Sequence, residues 1–184
     1  MIEPIELSNG VITLKPYGPQ YLDQLYDSII ESMTELSAWM SWAHPAYSKD
    51  ETREWLKGKP REWEMGISYE FAILDASDGS FLGGCGLNHI HVEDNFANLG
   101  YWIMTGRTGQ GVATAAARLT AGFGFGRVKL TRAEIVVAVG NKASLRVAAK
   151  AGATREAQLR NRIKVGETIH DGVMFSLIPE DFAP

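Results

Sequence analysis

Two glycines, Gly109 and Gly111, set between an apolar run and an alanine-rich run, point most directly to chemistry. The stretch 99–119 reads LGYWIMTGRTGQGVATAAARL: a strand over 99–104, a polar turn over 105–110, then a helix from Gly111 or Val112. Glycine lets the chain turn sharply and leaves backbone N–H groups uncovered. The first amides of a helix have no partner inside it, and the helix dipole puts its positive end at the same place. A strand that delivers such a turn onto a helix is an anion site, suited to a diphosphate. Asn141 and Ser144, three apart at the start of a second helical run, read on their own as a helix cap. His89 and His91 alternate along a strand and would share one face. No third metal ligand is evident beside them, so no metal is expected, and either histidine is available for proton transfer. Trp39 and Trp42, three apart on an expected helix over 36–45, would share a face, as core or as one wall of a ligand cleft.

The elements that must position these residues follow from periodicity. Residues 11–16 alternate and end at proline, which suits a first strand, and 19–32 carries apolar pairs at helical spacing. A helical run over 52–63 follows Ser48, with a break expected around Gly58–Pro60. Strands are expected at 69–76 and 81–92 around an Asp78-Gly79 turn, at 95–104 and at 132–139. Glycines 83, 84 and 86 predict a bulge or a close backbone approach in the second of these. Helices are expected at 111–125 and 141–151, the latter stopped by Gly152, and two last strands at 153–163 and 170–178. Adjacent strands predict antiparallel hairpins and helix-linked strands predict parallel neighbours. The expectation is an α/β (α+β) domain, 1–184, with a mixed sheet and helices on both faces.

Composition narrows the function classes. At 184 residues, 45% hydrophobic and 22% charged, the chain fits one globular domain. A net charge of −4 gives no basic field for direct nucleic-acid or acidic-membrane binding. The lone Cys85 excludes an internal disulfide and sits in an apolar run, as a buried structural thiol does. With no membrane-length apolar stretch and no signal-peptide pattern, a cytoplasmic location is expected.

Three anion motifs compete for residues 108–114, TGQGVAT. A P-loop requires a Gly-Lys-Ser/Thr ending, and no such lysine is present. A dinucleotide turn needs G-x-G-x-x-G/A after the first strand, but Thr114 fills the third position and three candidate strands come earlier. The third is an acyl-CoA turn. Gly109-x-Gly111-x-Ala113, following Gly100-Tyr101-Trp102-Ile103, resembles the GNAT superfamily of acetyl-CoA-dependent N-acetyltransferases. The tryptophan pair of LSAWMSWAHP, the GYWI strand, Asn141-x-x-Ser144 and the ending His170-Asp171-Gly172-x-Met174 narrow the resemblance to its RimJ/RimL branch. The family turn usually begins with Gln or Arg; here that place is Thr108, with Arg107 one position early.

The resemblance implies a largely antiparallel sheet in which one parallel pair, 99–104 and 132–139, splays to admit the pantetheine arm of acetyl-CoA. Backbone groups of Trp102, Ile103 and Met104 would pair with that arm. The amides of Gly109, Gln110, Gly111, Val112, Ala113 and Thr114, with Arg107 beside them, would take the pyrophosphate. Asn141 would hold the pantetheine, Ser144 would protonate the departing thiolate, and the N–H of Ile103 would steady the oxyanion. The branch glutamate assigned as a base falls near Ile163, which takes no proton, while Glu156 matches another branch glutamate. Trp39, Trp42, His89 and His91 are the residues expected to shape an acceptor site. The acceptor would be a primary amine, a ribosomal-protein N-terminus or a small amine, and a homodimer is possible within the branch. The same resemblance also covers a non-catalytic acyl-CoA sensor.

Overall fold

The computed structural model describes residues 5–182; the first four and last two residues of the expected domain lie outside them. Eight strands form one sheet: β1 (Leu7–Ser8), β2 (Ile12–Pro16), β3 (Tyr69–Asp75), β4 (Phe81–His91), β5 (Phe96–Ile103), β6 (Arg132–Ala138), β7 (Thr154–Val165) and β8 (Thr168–Leu177). Their spatial order is β1-β2-β3-β4-β5-β6-β8-β7. Among the described residues only the β5–β6 pair is parallel, as expected for two strands joined through a helix. The two-residue edge strand β1 carries too little pattern to be read from sequence.

Alternation in the central strands sends side chains to two cores. Phe71 and Ile73 of β3 pack with Ala116, Ala117 and Ala121 of α4 (Val112–Phe123) and Ala148 of α5 (Lys142–Lys150). Ala72 and Leu74 face the opposite side, against Leu25 and Ile29 of α1 (Leu22–Glu31) and Leu56 of α3 (Lys49–Glu64). Helices therefore cover both faces. Alanine at three α4 positions lets that helix sit close on the sheet at no cost in helix propensity.

Two helices differ from expectation. α3 runs unbroken through Pro60. Its start is fixed by a capping box between Ser48 and Glu51, and beyond the proline Trp63 is clamped 5.0 Å from both Tyr69 and Phe71. Packing on both sides of Pro60 holds a helix that local sequence alone would interrupt. The expected helix over 36–45 is instead α2 (Met33–Ser37), ending before either tryptophan. Trp39 and Trp42 therefore lie in successive turns and do not share a helical face. α5 ends as expected: Gly152 is left-handed at φ 88°, with Gly152 N–H to Ala149 O at 3.1 Å and Ala153 N–H to Ala148 O at 3.1 Å.

Glu156 acquires a structural role. It accepts a bidentate pair from Arg132 of β6 at 2.7 and 2.5 Å and the Ser176 hydroxyl of β8 at 2.6 Å. The guanidinium holds its carboxyl down to about 2. This clamp ties three strands at the end of β6 where β5 and β6 are still paired. Its folded pKa lies below the unfolded one, so its contribution is complete above the ordinary carboxylate value near ~4.3 and fades as pH falls through about 2. Glu156→Ala is expected to cost about 1 kcal/mol at neutral pH, most of the attraction being screened by solvent. Urea unfolding at pH 7 and pH 3 checks both the size and its decline with acid.

Candidate active site

β5 and β6 pair over only three residues, Phe96–Asn98 with Arg132–Glu134. Both continue, to Ile103 and Ala138, without pairing again, so their inner edges part. Backbone groups along that opening have no sheet partner and are free for a ligand. Alternation decides which ones. Met104 donates its N–H to Leu82 O at 2.9 Å and accepts Arg107 N–H at 2.9 Å, so both its backbone groups are used within the chain. Residues one and three positions earlier, Ile103 and Tyr101, present theirs to the opening. The expected trio Trp102–Ile103–Met104 thus reduces to Ile103, joined by Tyr101.

At the open end lies the N-terminus of α4. Gly109 and Gly111 are left-handed, with φ 77° and 81°, and a Cβ at either would meet nothing within 4 Å. Their role is backbone conformation and uncovered amides, not packing. Gly111 is the N-cap and no side chain caps the helix. Among the described residues the amides of 109–114 find no backbone or side-chain acceptor. Six N–H groups at the positive end of a twelve-residue helix make an anion cradle. Thr108, the irregular position, turns its hydroxyl back onto Thr105 O at 3.0 Å and so closes the turn. The Arg107 charge helps to hold down the carboxyls of Asp75 and Asp78, after their own serine hydrogen bonds, which places it toward the β3–β4 turn.

Across the opening, Asn141 Oδ1 accepts Ser144 N–H at 3.0 Å, the cap read from sequence. Ser144 also meets Tyr101, whose hydroxyl lies 3.0 Å from Ser144 Oγ and 3.2 Å from its carbonyl oxygen. Burial pushes the Tyr101 phenol up to about 12, the Ser144 hydrogen bond pulling slightly the other way. It therefore keeps its proton at any physiological pH.

On the face of β5 opposite α4, a cleft of about 530 Å³ reaches the same strand at Gly100, Tyr101 and Trp102. Its walls are aromatic, including Tyr17, Trp42, Tyr47 and Trp55. Of the residues expected to shape an acceptor site, Trp42 and His89 line it. Trp39 packs instead against His170, 6.0 Å between ring centres, and His91 stacks on Phe96 at 5.0 Å near the β4–β5 turn. A break in strand register between Asn88 and His91 separates the two histidines' surroundings.

A family model described as Acetyltransferase (GNAT) domain matches residues 12–154. The chain belongs to the GNAT acetyltransferases. It is 30% identical over 175 residues to YdaF of Bacillus subtilis strain 168, provisionally named a ribosomal N-acetyltransferase, covering 95% of this chain and 94% of YdaF. A Vibrio cholerae structure, provisionally described as a ribosomal-protein-serine acetyltransferase, is 28% identical with a TM-score of 0.82, covering 97% of this chain and 100% of that one. The fold also matches RimL, the ribosomal L7/L12 α-N-protein acetyltransferase in complex with coenzyme A, at TM-score 0.87 and 22% identity, over 96% and 98% of the two chains.

Four polar residues that line the cleft were not singled out from sequence: Tyr101, Glu70, Asn88 and Asn98. The signal for Glu70 was present, since it shares the inward-facing alternation of Ala72 and Leu74 in YEFAILDA. Cys85 is buried, 3.2 Å from Thr120 Oγ1, and burial pushes its thiol up to about 12, so it is inert. Among the described residues no three His, Cys, Asp or Glu side chains group to hold a metal, and no helix is long and apolar enough to cross a membrane.

Proposed function

We propose that this GNAT acetyltransferase, acting as one domain over 1–184, moves the acetyl group of acetyl-CoA to a primary amine by direct attack of the amine on the thioester. The carrying observation is the Tyr101–Ser144 contact, 3.0 Å long, set just beyond the point where β5 and β6 part. Tyr101 belongs both to the free edge of β5 and to the cleft lining, so the contact sets a proton donor beside the opening. The amides of Gly109, Gln110, Gly111, Val112, Ala113 and Thr114 hold the pyrophosphate, and glycine at 109 and 111 keeps them bare. Ile103 N–H, facing the opening, donates to the oxygen on which charge develops. Asn141 fixes the first turn of α5 and so the position of Ser144. Ser144 hands its proton to the departing thiolate, and Tyr101, always protonated, supplies a hydrogen bond to Ser144 Oγ in return. Arg107 contributes only background charge, and Trp102 serves as a cleft wall.

The acceptor reading is a protein N-terminal α-amine first and a small amine second. Ribosomal N-acetylation in the names of YdaF and the Vibrio cholerae relative supports the first. An α-amine, pKa ~7.7–8.0, is already partly neutral at physiological pH. Ribosomal-protein acceptors place the enzyme in the cytoplasm, as a monomer or homodimer, without membrane or direct nucleic-acid contact. A panel of ribosomal-protein N-terminal peptides and small amines, read by release of the coenzyme A thiol, tests this. Amine-dependent release with at least one peptide is expected; release with small amines alone would shift the acceptor class.

A further inference from the structure

Two carboxylates reach the cleft, Glu51 and Glu70. Glu51 is occupied at the start of α3, where it accepts from Ser48 N–H at 2.9 Å and Ser48 Oγ–H at 3.0 Å and faces His44 at 3.0 Å. Glu70 lies on the sheet floor. Its Oε1 accepts the Asn88 side-chain amide at 3.1 Å, and Asn88 is itself oriented by Asn98, whose amide donates to Asn88 Oδ1 at 2.9 Å. Its Oε2 rests over Gly86, where a Cβ would strike it, and has no hydrogen-bond partner among the described residues. The cation that acts most on it, Lys59, is already bound to Glu62 at 2.7 Å and lies over the Trp55 ring at 4.3 Å. A carboxylate with a free oxygen, no cation of its own and aromatic walls above it is a receptor for a cationic amine.

Strand register aims it at the reaction centre. Glu70 stands opposite Gly86, and Gly86 opposite Gly100. Neighbouring strands lie ~4.8 Å apart, so a carboxylate lying over Gly86 is about one strand spacing from β5. Gly100 keeps that interval open: the nearest atoms to a Cβ there would be the Asn98 and Asn88 amides, 3.9 and 4.0 Å away. That open space lies over Gly100, on the cleft face of β5 and next along the strand to Tyr101, at the start of the free edge.

We propose that Glu70 receives the acceptor's ammonium group at the bottom of the cleft and is the base that takes its proton. The proposal rests on the acetyl-transfer reading above and supplies the base that the sequence, with Ile163 at the branch position, did not. Glu70 removes one proton from R–NH3+ and becomes neutral. The freed amine forms a C–N bond to the thioester carbonyl carbon as the C–S bond breaks. The nitrogen's second proton leaves through the Ser144–Tyr101 pair to the sulfur, giving amide, free thiol and protonated Glu70, which discharges to the solvent-open cleft. Desolvation lifts the Glu70 carboxyl from its ordinary value, with the Asn88 hydrogen bond and Lys59 pulling it part-way back. Lys59 and Glu62 from α3, His89 and Cys85 from β4 and Tyr17 after β2 are the ionisable groups near it, with Glu51 on the cleft lining.

Glu70→Gln keeps the Asn88 hydrogen bond and removes only the basicity. With a Ser-initiated hexapeptide amide and spermidine as probes, kcat/KM at pH 7 is expected to fall at least ~100-fold while acetyl-CoA affinity is unchanged. The deficit should shrink as pH rises past the probe amine's own pKa, because a neutral amine needs no base. Gly100→Ala, which has room for its methyl group, should lower kcat/KM roughly tenfold by narrowing the interval. A second readout needs no turnover. A raised folded pKa means burial of the ionised Glu70 costs stability as pH rises above the carboxylate range. Glu70→Gln should therefore melt higher than wild type at pH 8 and equally at pH 4. A variant within threefold of wild type at every pH, or one no more stable at pH 8, overturns the proposal. Wild type that binds acetyl-CoA yet acetylates neither probe nor any panel amine would instead refute the transfer reading, and the melting comparison still decides Glu70's ionisation.

Discussion

Gly111→Asp is expected to cripple coenzyme A binding. Titration calorimetry is expected to show affinity reduced by at least ~100-fold, about 2.7 kcal/mol. Two effects add. The new carboxylate can fold back onto the α4 amides as a helix cap, occupying the donors that the pyrophosphate needs. It also sets a negative charge against a ligand that carries several. Loss of the fold is a poor alternative explanation, since Gly111 has open space around its Cα and aspartate tolerates its left-handed φ of 81° better than most residues. Gly111→Asn separates the two effects. It is near-isosteric and equally tolerant of that backbone, so it should lose affinity through competition for the amides but clearly less than aspartate. Equal affinities for aspartate and wild type would remove the cradle from the account.

Ser144→Ala lowers kcat by ~100-fold or more while acetyl-CoA binding changes little, because the hydroxyl acts on charge that develops only as the thiolate leaves. Tyr101→Phe is expected to produce a deficit of similar kind, since it removes the hydrogen bond 3.0 Å from Ser144 Oγ. The double variant should be scarcely worse than Ser144→Ala alone, the two hydroxyls forming one unit. Steady-state kinetics with calorimetric binding for all three proteins gives the split between kcat and affinity. Simple addition of the two losses would mean that Tyr101 acts elsewhere. Unchanged turnover in Ser144→Ala would leave Ser144 with the helix-capping role that its backbone already performs for Asn141.

The architecture was legible because its signals are local. Alternating apolar residues gave seven of the strands, and Gly111, Asn141 and Gly152 marked helix ends with the backbone chemistry that those ends require. The unbroken α3 was not legible, since Trp63 holds the far side of Pro60 through Tyr69 and Phe71, which follow the helix, and through Phe123, distant in sequence. The tryptophan pair misled for a related reason. A three-residue spacing implies a shared face only inside a helix, and α2 stops at Ser37, leaving Trp42 in the cleft and Trp39 against His170. Within the candidate site, sequence pointed to the turn before α4 and to Ser144, both tied to helix starts. It did not single out Tyr101 or Glu70, because the roles proposed for them depend on partners in other elements: Ser144, 43 residues away, and Asn88, 18 residues away. Glycines 84 and 86 were the visible trace of that site. Their lack of side chains makes room for the Tyr17 hydroxyl and the Glu70 carboxylate, the close approach that their spacing predicted.

Single-turnover mass spectrometry tests the central claim most directly. The protein is loaded with acetyl-CoA, mixed with a Ser-initiated ribosomal-protein peptide or another amine that releases thiol in the panel, and quenched over time. Acetylated amine and free coenzyme A are expected to appear together, with no acetyl group on the protein at any point and no product from Ser144→Ala on the same timescale. A stable acetyl-CoA complex indifferent to every amine, or an acetylated protein preceding the product, would contradict direct transfer at the opening between β5 and β6.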